Sequence, residues 1–321
     1  MRILIIGAAG FVGGHLTDAL AAGGEYEIYA TKLPQEQLAE DCRRTVCDLD
    51  ICDAAAVCRL MQEIKPDRIV HLAAQSSVAL SWKKPQLTAD VNILGTLNVL
   101  EAMRQHVPQA RLLMVGSAEE YGAVTPAQCP VREETPLHPA NFYAVSKVCN
   151  EQTAALYCKA YGLHIVMTRS FNHFGRGQSD AFVMADFCKQ AAAISLGLHE
   201  AVIRTGNLSA KRDFTDVRDI VRAYILLLEH GRAGEVYNVG SGRARELATL
   251  LDTVRTVSGA AFSVETDPAR FRPIDVPVIE ADISKLQLDT GWQPQYSAEE
   301  TIADTLSWWR VQLTKEQSQE Q

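Results

Sequence analysis

The sequence predicts an α/β protein, a doubly wound parallel sheet of the Rossmann type with a smaller mixed α/β substrate domain. Short apolar runs alternate with helix-length stretches through the first half of the chain, the signature of βαβ units whose sheet is covered on both faces. Gly7, Gly10 and Gly13 recur at every third position between the first apolar run and the first helix. From about Asn172 the alternation breaks down, so a second unit is expected.

Arg2–Ile6 reads as the first strand and Phe11–Ala22 as the first helix. Tyr26–Thr31 and Arg44–Cys47 are the second and third strands, followed by a helix over Asp53–Ile64. Arg68–Leu72 is a fourth strand, Gln86–Gln105 a long helix, and Arg111–Gly116 a fifth strand. A second long helix over Phe142–Tyr161 leads into a sixth strand, His164–Arg169. Beyond it, Phe182–Ser195 is helical and Ala201–Phe214 holds short strands and turns. Val217–His230 and Glu235–Val239 are expected to return to the sheet as a helix and a strand, and Ala244–Val257 and Ser297–Gln312 are further helices. The chain thus divides into a dinucleotide-binding unit, 1–171 together with about 215–240, and a discontinuous substrate unit, 172–214 and 241–313. The polar stretch 314–321 is expected to fray as a disordered tail.

At 321 residues and 47% apolar, the composition is that of an ordinary globular protein, with length for about two domains. A net charge of −8 weighs against a nucleic-acid-coating protein, but leaves room for local basic groups that grip a phosphorylated substrate. No apolar run approaches the ~20 residues that span a bilayer. The first strand starts at Arg2, which leaves no room for a signal peptide. A cytoplasmic protein is expected. Of eight cysteines, Cys42, Cys47, Cys52 and Cys58 cluster in sequence, yet their gaps are too wide for a zinc knuckle, and no metal is expected.

The glycine head carries the first chemistry. Gly7 permits a tight turn, Gly10 lets backbone approach a pyrophosphate, and Gly13 lets helix pack on strand. The helix N-terminus, at Phe11 and Val12, then offers free N–H groups and a positive dipole end. An acid at the end of the second strand would grip the adenosine ribose and select NAD. This strand ends in Thr31-Lys32 without one. Thr31 and Lys32 are instead placed to accept a 2′-phosphate, although Lys32 also reads as a solvated loop lysine. NADP(H) is therefore favoured and NAD(H) tolerated. Asp48, after the third strand, is placed to take the adenine amino group, with Leu49 packing on the ring.

Tyr143 and Lys147 lie four apart at the start of a predicted helix, hence on one face. A nearby cation favours a phenolate, which helps a group that titrates near pH ~10 when free. Ser117 follows the fifth strand, where side chains point toward the ligand cleft. Three polar groups can thus converge on one carbonyl beside a nicotinamide. Ser117 would hydrogen-bond the substrate oxygen, Tyr143 would pass the proton, and Lys147 would hold the ribose and keep the phenol acidic.

These residues carry a resemblance. Tyr143-Ala144-Val145-Ser146-Lys147, Asn92-Ile93-Leu94-Gly95-Thr96 and Gly116-Ser117-Ala118-Glu119-Glu120-Tyr121-Gly122 resemble the extended short-chain dehydrogenase/reductase family that modifies nucleotide sugars, over nearly the whole chain. The resemblance implies that Leu72, Ala73, Ala74 and Gln75 line the cofactor. Phe171-Asn172-His173-Phe174-Gly175-Arg176-Gly177-Gln178, Gly206-Asn207-Leu208, Lys211-Arg212-Asp213-Phe214-Thr215-Asp216 and Arg272-Pro273 are most similar to the GDP-4-keto-6-deoxy-mannose reductases within it. That likeness implies substrate contacts at Ser77, Glu119, Asn172, Val183, Asn207, Arg212 and Arg272. The two arginines would bind the nucleotide, as guanidinium forks suit a diphosphate, or pair on the surface with Asp213 or Asp275. It also implies a homodimer formed through the helices 86–105 and 142–161.

Three readings follow. A ketone reductase would deliver hydride to sugar C4 and a proton from Tyr143, giving a product like GDP-rhamnose. A GDP-mannose 4,6-dehydratase, or another nucleotide-sugar epimerase or dehydratase, is the alternative, and a 4,6-dehydratase would need further acid/base groups beside Ser117. Ala118 cannot shuttle a proton, whereas Glu119 leaves that reading open. A non-catalytic sensor or scaffold on the same fold is the third, and the intact trio speaks against it.

Overall fold

The computed structural model describes every residue except Ala39, Asp41, Cys42, 271–275 and Gln321, and no side chain at 319 and 320. β1 (Arg2–Ile6) leads into α1 (Phe11–Gly23), which Gly24 ends in the left-handed region at φ 71°. β2 (Glu27–Lys32) and β3 (Arg44–Asp48) follow. The Asp53 carboxylate caps α2 (Ala54–Ile64) by accepting the Ala56 N–H at 3.0 Å. After β4 (Arg68–His71) come α3 (Val78–Lys83), α4 (Pro85–Thr88), a wide helical turn over Ala89–Leu94, and α5 (Gly95–His106). β5 (Arg111–Ser117), a tight turn over Ala118–Tyr121, α6 (Phe142–Tyr161) and β6 (His164–Ser170) complete this half.

The second half runs β7 (Asn172–Phe174), α7 (Val183–Ser195), β8 (Val202–Thr205), β9 (Lys211–Asp216), α8 (Val217–His230) and β10 (Val236–Val239). Then come β11 (Ala244–Glu246), α9 (Leu247–Ser258), β12 (Ser263–Thr266), β13 (Val278–Ile279), α10 (Ser284–Thr290) and α11 (Ala298–Glu320).

Seven strands form one parallel sheet in the order β10-β6-β5-β4-β1-β2-β3. The order reverses beside β1, and ligands of such sheets bind at that crevice, outside the carboxyl ends of the strands. Successive residues of β1 serve opposite faces. Ile3 and Ile5 join α1 and α8 through Leu16, Leu20, Tyr224 and Leu227. Leu4 and Ile6 join α2 and α5 through Val57, Met61, Val99 and Met103. A strand buried on both sides must be apolar throughout, which is why β1 reads as an unbroken run. A separate apolar cluster joins α7, α9 and α11 around Phe187, Leu250, Ile302 and Leu306. β9 is bordered there by β11, β13 and β7, and β8 pairs with β12.

Several segments differ from the sequence expectation. The helix expected over Gln86–Gln105 is interrupted at Ala89–Leu94, where the turn widens. The Asn92 side chain is drawn inward at 0% exposure and exchanges hydrogen bonds with the Gln75 main chain, Nδ2 to O at 3.1 Å and Oδ1 from N at 2.8 Å. Such an insertion is accommodated by one wide turn. The start of the helix expected at Ala244 is instead β11, paired antiparallel to β9 with Arg245 opposite Arg212. β5 and β6 each run one residue further, to Ser117 and Ser170, which pair with each other. The tail expected to fray continues α11 to Glu320. Its last buried residue is Leu313, and beyond it residues of good helix propensity carry the coil on.

Candidate active site

The turn after β1 is built by its glycines. Gly7 adopts φ +90°, and a Cβ there would stand 2.7 Å from the Ala73 nitrogen, so this position both needs a left-handed backbone and abuts the end of β4. At Gly13 a Cβ would meet Gly7 O at 2.5 Å, which fixes α1 close against β1. Gly10 is extended and caps α1 without any side-chain hydrogen bond. The first-turn N–H groups, at Phe11 and Val12, are left for a ligand anion. These residues fit the pyrophosphate of a dinucleotide. The Phe11 ring stacks on His173 at 6.2 Å and 11°, tying this turn to β7.

Thr31 is the penultimate residue of β2 at 1% exposure, and its hydroxyl accepts the Gly7 N–H at 3.1 Å. Lys32 forms an ion pair with Asp48 across β2 and β3. Leu49 is buried in the core on the α2 side, and its N–H bonds Lys32 O at 2.8 Å. Leu72 and Ala73 follow β4 and both donate to Ile6 O. With Ala74 they are half-buried. Gln75 donates from Nε2 to Thr88 at 2.9 Å and accepts the Ser77 N–H at 2.6 Å, and Ser77 caps α3. The segment His71–Gln75 is thus fastened to α4 through Thr88 and to the wide turn through Asn92.

Ser117, Tyr143 and Lys147 come together at 9%, 9% and 7% exposure. β5 supplies the serine at its carboxyl end. α6 supplies the other two from its first turns, oriented by Asn141, whose Oδ1 accepts the Ala144 N–H at 2.8 Å. Burial raises the Tyr143 phenol well above its usual range, a hydrogen bond with Ser117 pulls it back, and the charges of Glu120 and Glu119 push it up again. Burial lowers the Lys147 ammonium to about 8, opposed by Glu120. The side chains that most shift the Tyr143 phenol are Ser117, Glu120 and Glu119 rather than the Lys147 ammonium. Its Nζ lies 5.9 Å from the Tyr143 ring centroid and donates to Val115 O at 2.8 Å. Tyr143 is held as a neutral acid.

On the substrate side, Glu119 Oε2 accepts the Asn141 Nδ2 at 2.9 Å. Asn172 opens β7 and Val183 opens α7, both half-buried. Asn207 shapes a turn by accepting the Ser209 N–H at 3.0 Å. Arg212, in β9, donates to Val276 O and Lys211 O. Asp213 is no surface partner for it: it is fully buried and accepts the N–H groups of Ser241, Gly242 and Ala281. Arg272 and Asp275 lie outside the described residues, as does Cys42. Among the described residues no group of three His, Cys, Asp or Glu is placed to hold a metal ion.

Three residues were missed by the sequence reading. Asn141 joins the α6 cap to Glu119. Asn92 reaches Ser146 at 2.9 Å, and Ser146 in turn donates to Tyr143 O at 2.6 Å. Glu120 lies buried behind Ser117. For Asn141 the signal was present, as an Asn just before a helix is a preferred cap.

Comparison with known proteins finds relatives of the whole chain. The family model described as GDP-mannose 4,6 dehydratase matches residues 4–305. The GDP-6-deoxy-D-mannose reductase of Pseudomonas aeruginosa is 33% identical over 315 residues, 98% of this chain and 99% of that protein. The solved structure of RMD from Pseudomonas aeruginosa complexed with NADPH superposes with a TM-score of 0.86 at 31% identity, covering 97% of this chain and 99% of that one. The Thermus thermophilus UDP-glucose 4-epimerase in complex with NAD has the same TM-score, 0.86, at 30% identity, covering 97% and 99% of the two chains.

Proposed function

The chain belongs to the GDP-mannose 4,6 dehydratase family, and from that premise we propose that it reduces the C4 ketone of a nucleotide-linked 4-keto-6-deoxy-hexose with NAD(P)H. The substrate we favour is GDP-4-keto-6-deoxy-D-mannose and the product GDP-D-rhamnose, a reading supported by the likeness to the GDP-6-deoxy-D-mannose reductase of Pseudomonas aeruginosa. The observation that carries this reading is the Tyr143 phenol, buried, kept protonated and hydrogen-bonded to Ser117. Reduction of a ketone needs a proton donor at neutral pH, and a phenol whose titration is pushed up stays protonated there.

A bound reduced nicotinamide supplies the hydride. Ser117 donates to the ketone oxygen and holds it against Tyr143. As negative charge gathers on that oxygen, Tyr143 gives up its phenolic proton to it. Lys147, charged, holds the cofactor ribose and steadies the phenolate that remains. Val183, Asn172, Asn207, Arg212 and Arg272 take the nucleotide sugar, the arginines on its diphosphate. Thr31 and Lys32 leave NADPH preferred, in line with the NADPH complex of the Pseudomonas aeruginosa protein.

The dehydratase alternative is kept by Glu119 and the family name. Against it stand the run Phe174-Gly175-Arg176-Gly177-Gln178, which looks reductase-like, and the Glu119 carboxylate, which accepts a hydrogen bond from the α6 cap residue. Among the described residues no helix is long and apolar enough to cross a membrane. The cysteines described are free thiols, in keeping with work in the reducing cytoplasm.

The deciding experiment incubates the protein with GDP-4-keto-6-deoxy-D-mannose and NADPH. Loss of nicotinamide absorbance with formation of the GDP-linked 6-deoxy-hexose bearing a C4 hydroxyl is expected. In a parallel incubation with GDP-mannose, its conversion to the keto sugar without net cofactor consumption would make the protein a dehydratase.

A further inference from the structure

Away from the trio, one polar cluster has no part in the reduction as described. Asp186 lies in the first turn of α7, three residues after Val183 and so on the same face of that helix. Its Oδ2 accepts from Arg270 Nη1 at 2.6 Å and from Gln190 Nε2 at 2.8 Å. Gln190, one turn further on, also grips β8: its Oε1 accepts the Arg204 N–H at 2.9 Å, and its Nε2 donates to Arg204 O at 3.2 Å. Arg270 closes a tight turn over Pro268–Arg270. That turn abuts the residue before Asn207, since a Cβ at Gly206 would stand 2.8 Å from Arg270 O. The cluster therefore ties together the segments of Val183 and Asn207, two residues that the proposed function gives to the nucleotide sugar.

The carboxylate is only half used. Oδ1 accepts no hydrogen bond among the described residues, and the side chain is 17% exposed, against 42% for Arg270. An acid that merely fastened the Pro268–Arg270 turn to α7 would need Oδ2 alone. Burial raises the Asp186 carboxyl, and the Arg270 guanidinium and the Gln190 amide draw it back. A carboxylate only accepts hydrogen bonds and a guanidinium only donates them. Side by side at an open edge, the two form a template for a ligand that carries donors next to an acceptor.

Guanine has such an edge, with the N2 amino group and N1–H as donors and O6 beside them as acceptor. The count closes. Oδ1 takes one donor, Arg270 turns from Oδ2 to O6, and the lone pair it leaves takes the second donor. Uracil and thymine offer one N–H between two carbonyls, so one carbonyl would face the carboxylate. Adenine and cytosine offer one amino group beside a ring acceptor and leave a carboxylate lone pair unused. We propose that Asp186 is a specificity-determining residue that reads the base of the nucleotide sugar as guanine, with Arg270 as its donor to O6.

The inference rests on the nucleotide-sugar site proposed above, and its test needs no turnover. Binding of GDP, IDP, UDP and XDP to the NADPH-loaded chain is measured by calorimetry for wild type and Asp186→Asn, with NADPH affinity as the control on folding. Inosine lacks only the N2 amino group of guanosine, and xanthosine carries a carbonyl in its place. Wild type is expected to bind GDP tighter than IDP by about tenfold or more, the effect of one hydrogen bond to a charged group, and tighter than UDP by at least as much. Asn offers one oxygen and one amino group, which match the N1–H and C2 carbonyl of xanthine. Asp186→Asn should therefore bind GDP no better than IDP, and its XDP-to-GDP affinity ratio should rise at least about tenfold over wild type. A residue that only fastened the turn would weaken all four nucleotides alike, and that outcome overturns the inference. So does a wild type that binds GDP and IDP equally, a comparison that needs no variant to fold. A wild type with the expected ranking that reduces no keto sugar retires the reductase reading and leaves Asp186 as the base reader. A wild type that reduces it while Asp186→Asn keeps the wild-type ranking does the reverse.

Discussion

Removing one oxygen atom from Tyr143 tests the chemistry at a single side chain. Tyr143→Phe keeps the ring in its buried seat and removes the proton donor. The expected result is a loss of about 10²–10⁴-fold in kcat with NADPH affinity retained, checked by steady-state kinetics and fluorescence titration. Lys147 gives the pH dependence its sign. Its ammonium is charged below about 8 and neutral above, so cofactor affinity and turnover fall as pH rises through that value. Thr31 tests cofactor choice. An Asp there keeps an acceptor for the Gly7 N–H and adds a charge that repels a 2′-phosphate. The NADPH-to-NADH ratio of kcat/KM is expected to drop at least about tenfold, the effect of ~1.4 kcal/mol. Lys32 matters less, because an exposed ion pair such as Lys32–Asp48 is worth only about 0.2–1 kcal/mol. Ser117, Tyr143 and Lys147 were legible because their spacing and place after strands have direct geometric meaning. Glu120 was not, since nothing in a linear string says that the acid three residues on folds back under the serine.

At the level of elements, α6 was read to its exact ends, because Asn141 and Gly162 punctuate it and no side chain interrupts it. The segment before it was read as one helix and is not. Periodicity cannot register a residue whose side chain turns inward to serve another loop, as Asn92 does for Gln75. β11 escaped for a related reason, as its pairing with β9 joins residues that lie far apart in sequence. Asn92→Leu leaves the Gln75 main chain without its partners and should cost about 1–3 kcal/mol. The melting temperature would fall, and activity would fall with it, because the same Asn bonds Ser146 below Tyr143. A Tm equal to wild type would show that the wide turn does not depend on that side chain.

For the whole molecule, α5 and α6 show a second apolar face. Val99, Leu100 and Ala154 are spent on the core, whereas Leu94, Leu97, Val145 and Leu156 are exposed at 52%, 36%, 41% and 65%. One face covers the sheet, and the other has the composition of a subunit contact. The homodimer we propose would bury it across a two-fold axis. Sedimentation at micromolar concentration should give twice the 35.3 kDa chain mass, and Leu97→Glu with Leu156→Glu should give the monomer. A wild type that sediments as a monomer would leave these leucines without a partner.

The late return of β10 to the sheet has a consequence for synthesis. β6 ends at Ser170 and β10 begins at Val236, 66 residues later. At ~5–20 residues per second the ribosome needs about 3–13 s to make that stretch. During this interval the nascent chain presents β6 as an open, sticky edge. Chains truncated near residue 215 should therefore aggregate or recruit chaperones, a cost of building one sheet from two distant parts of a message.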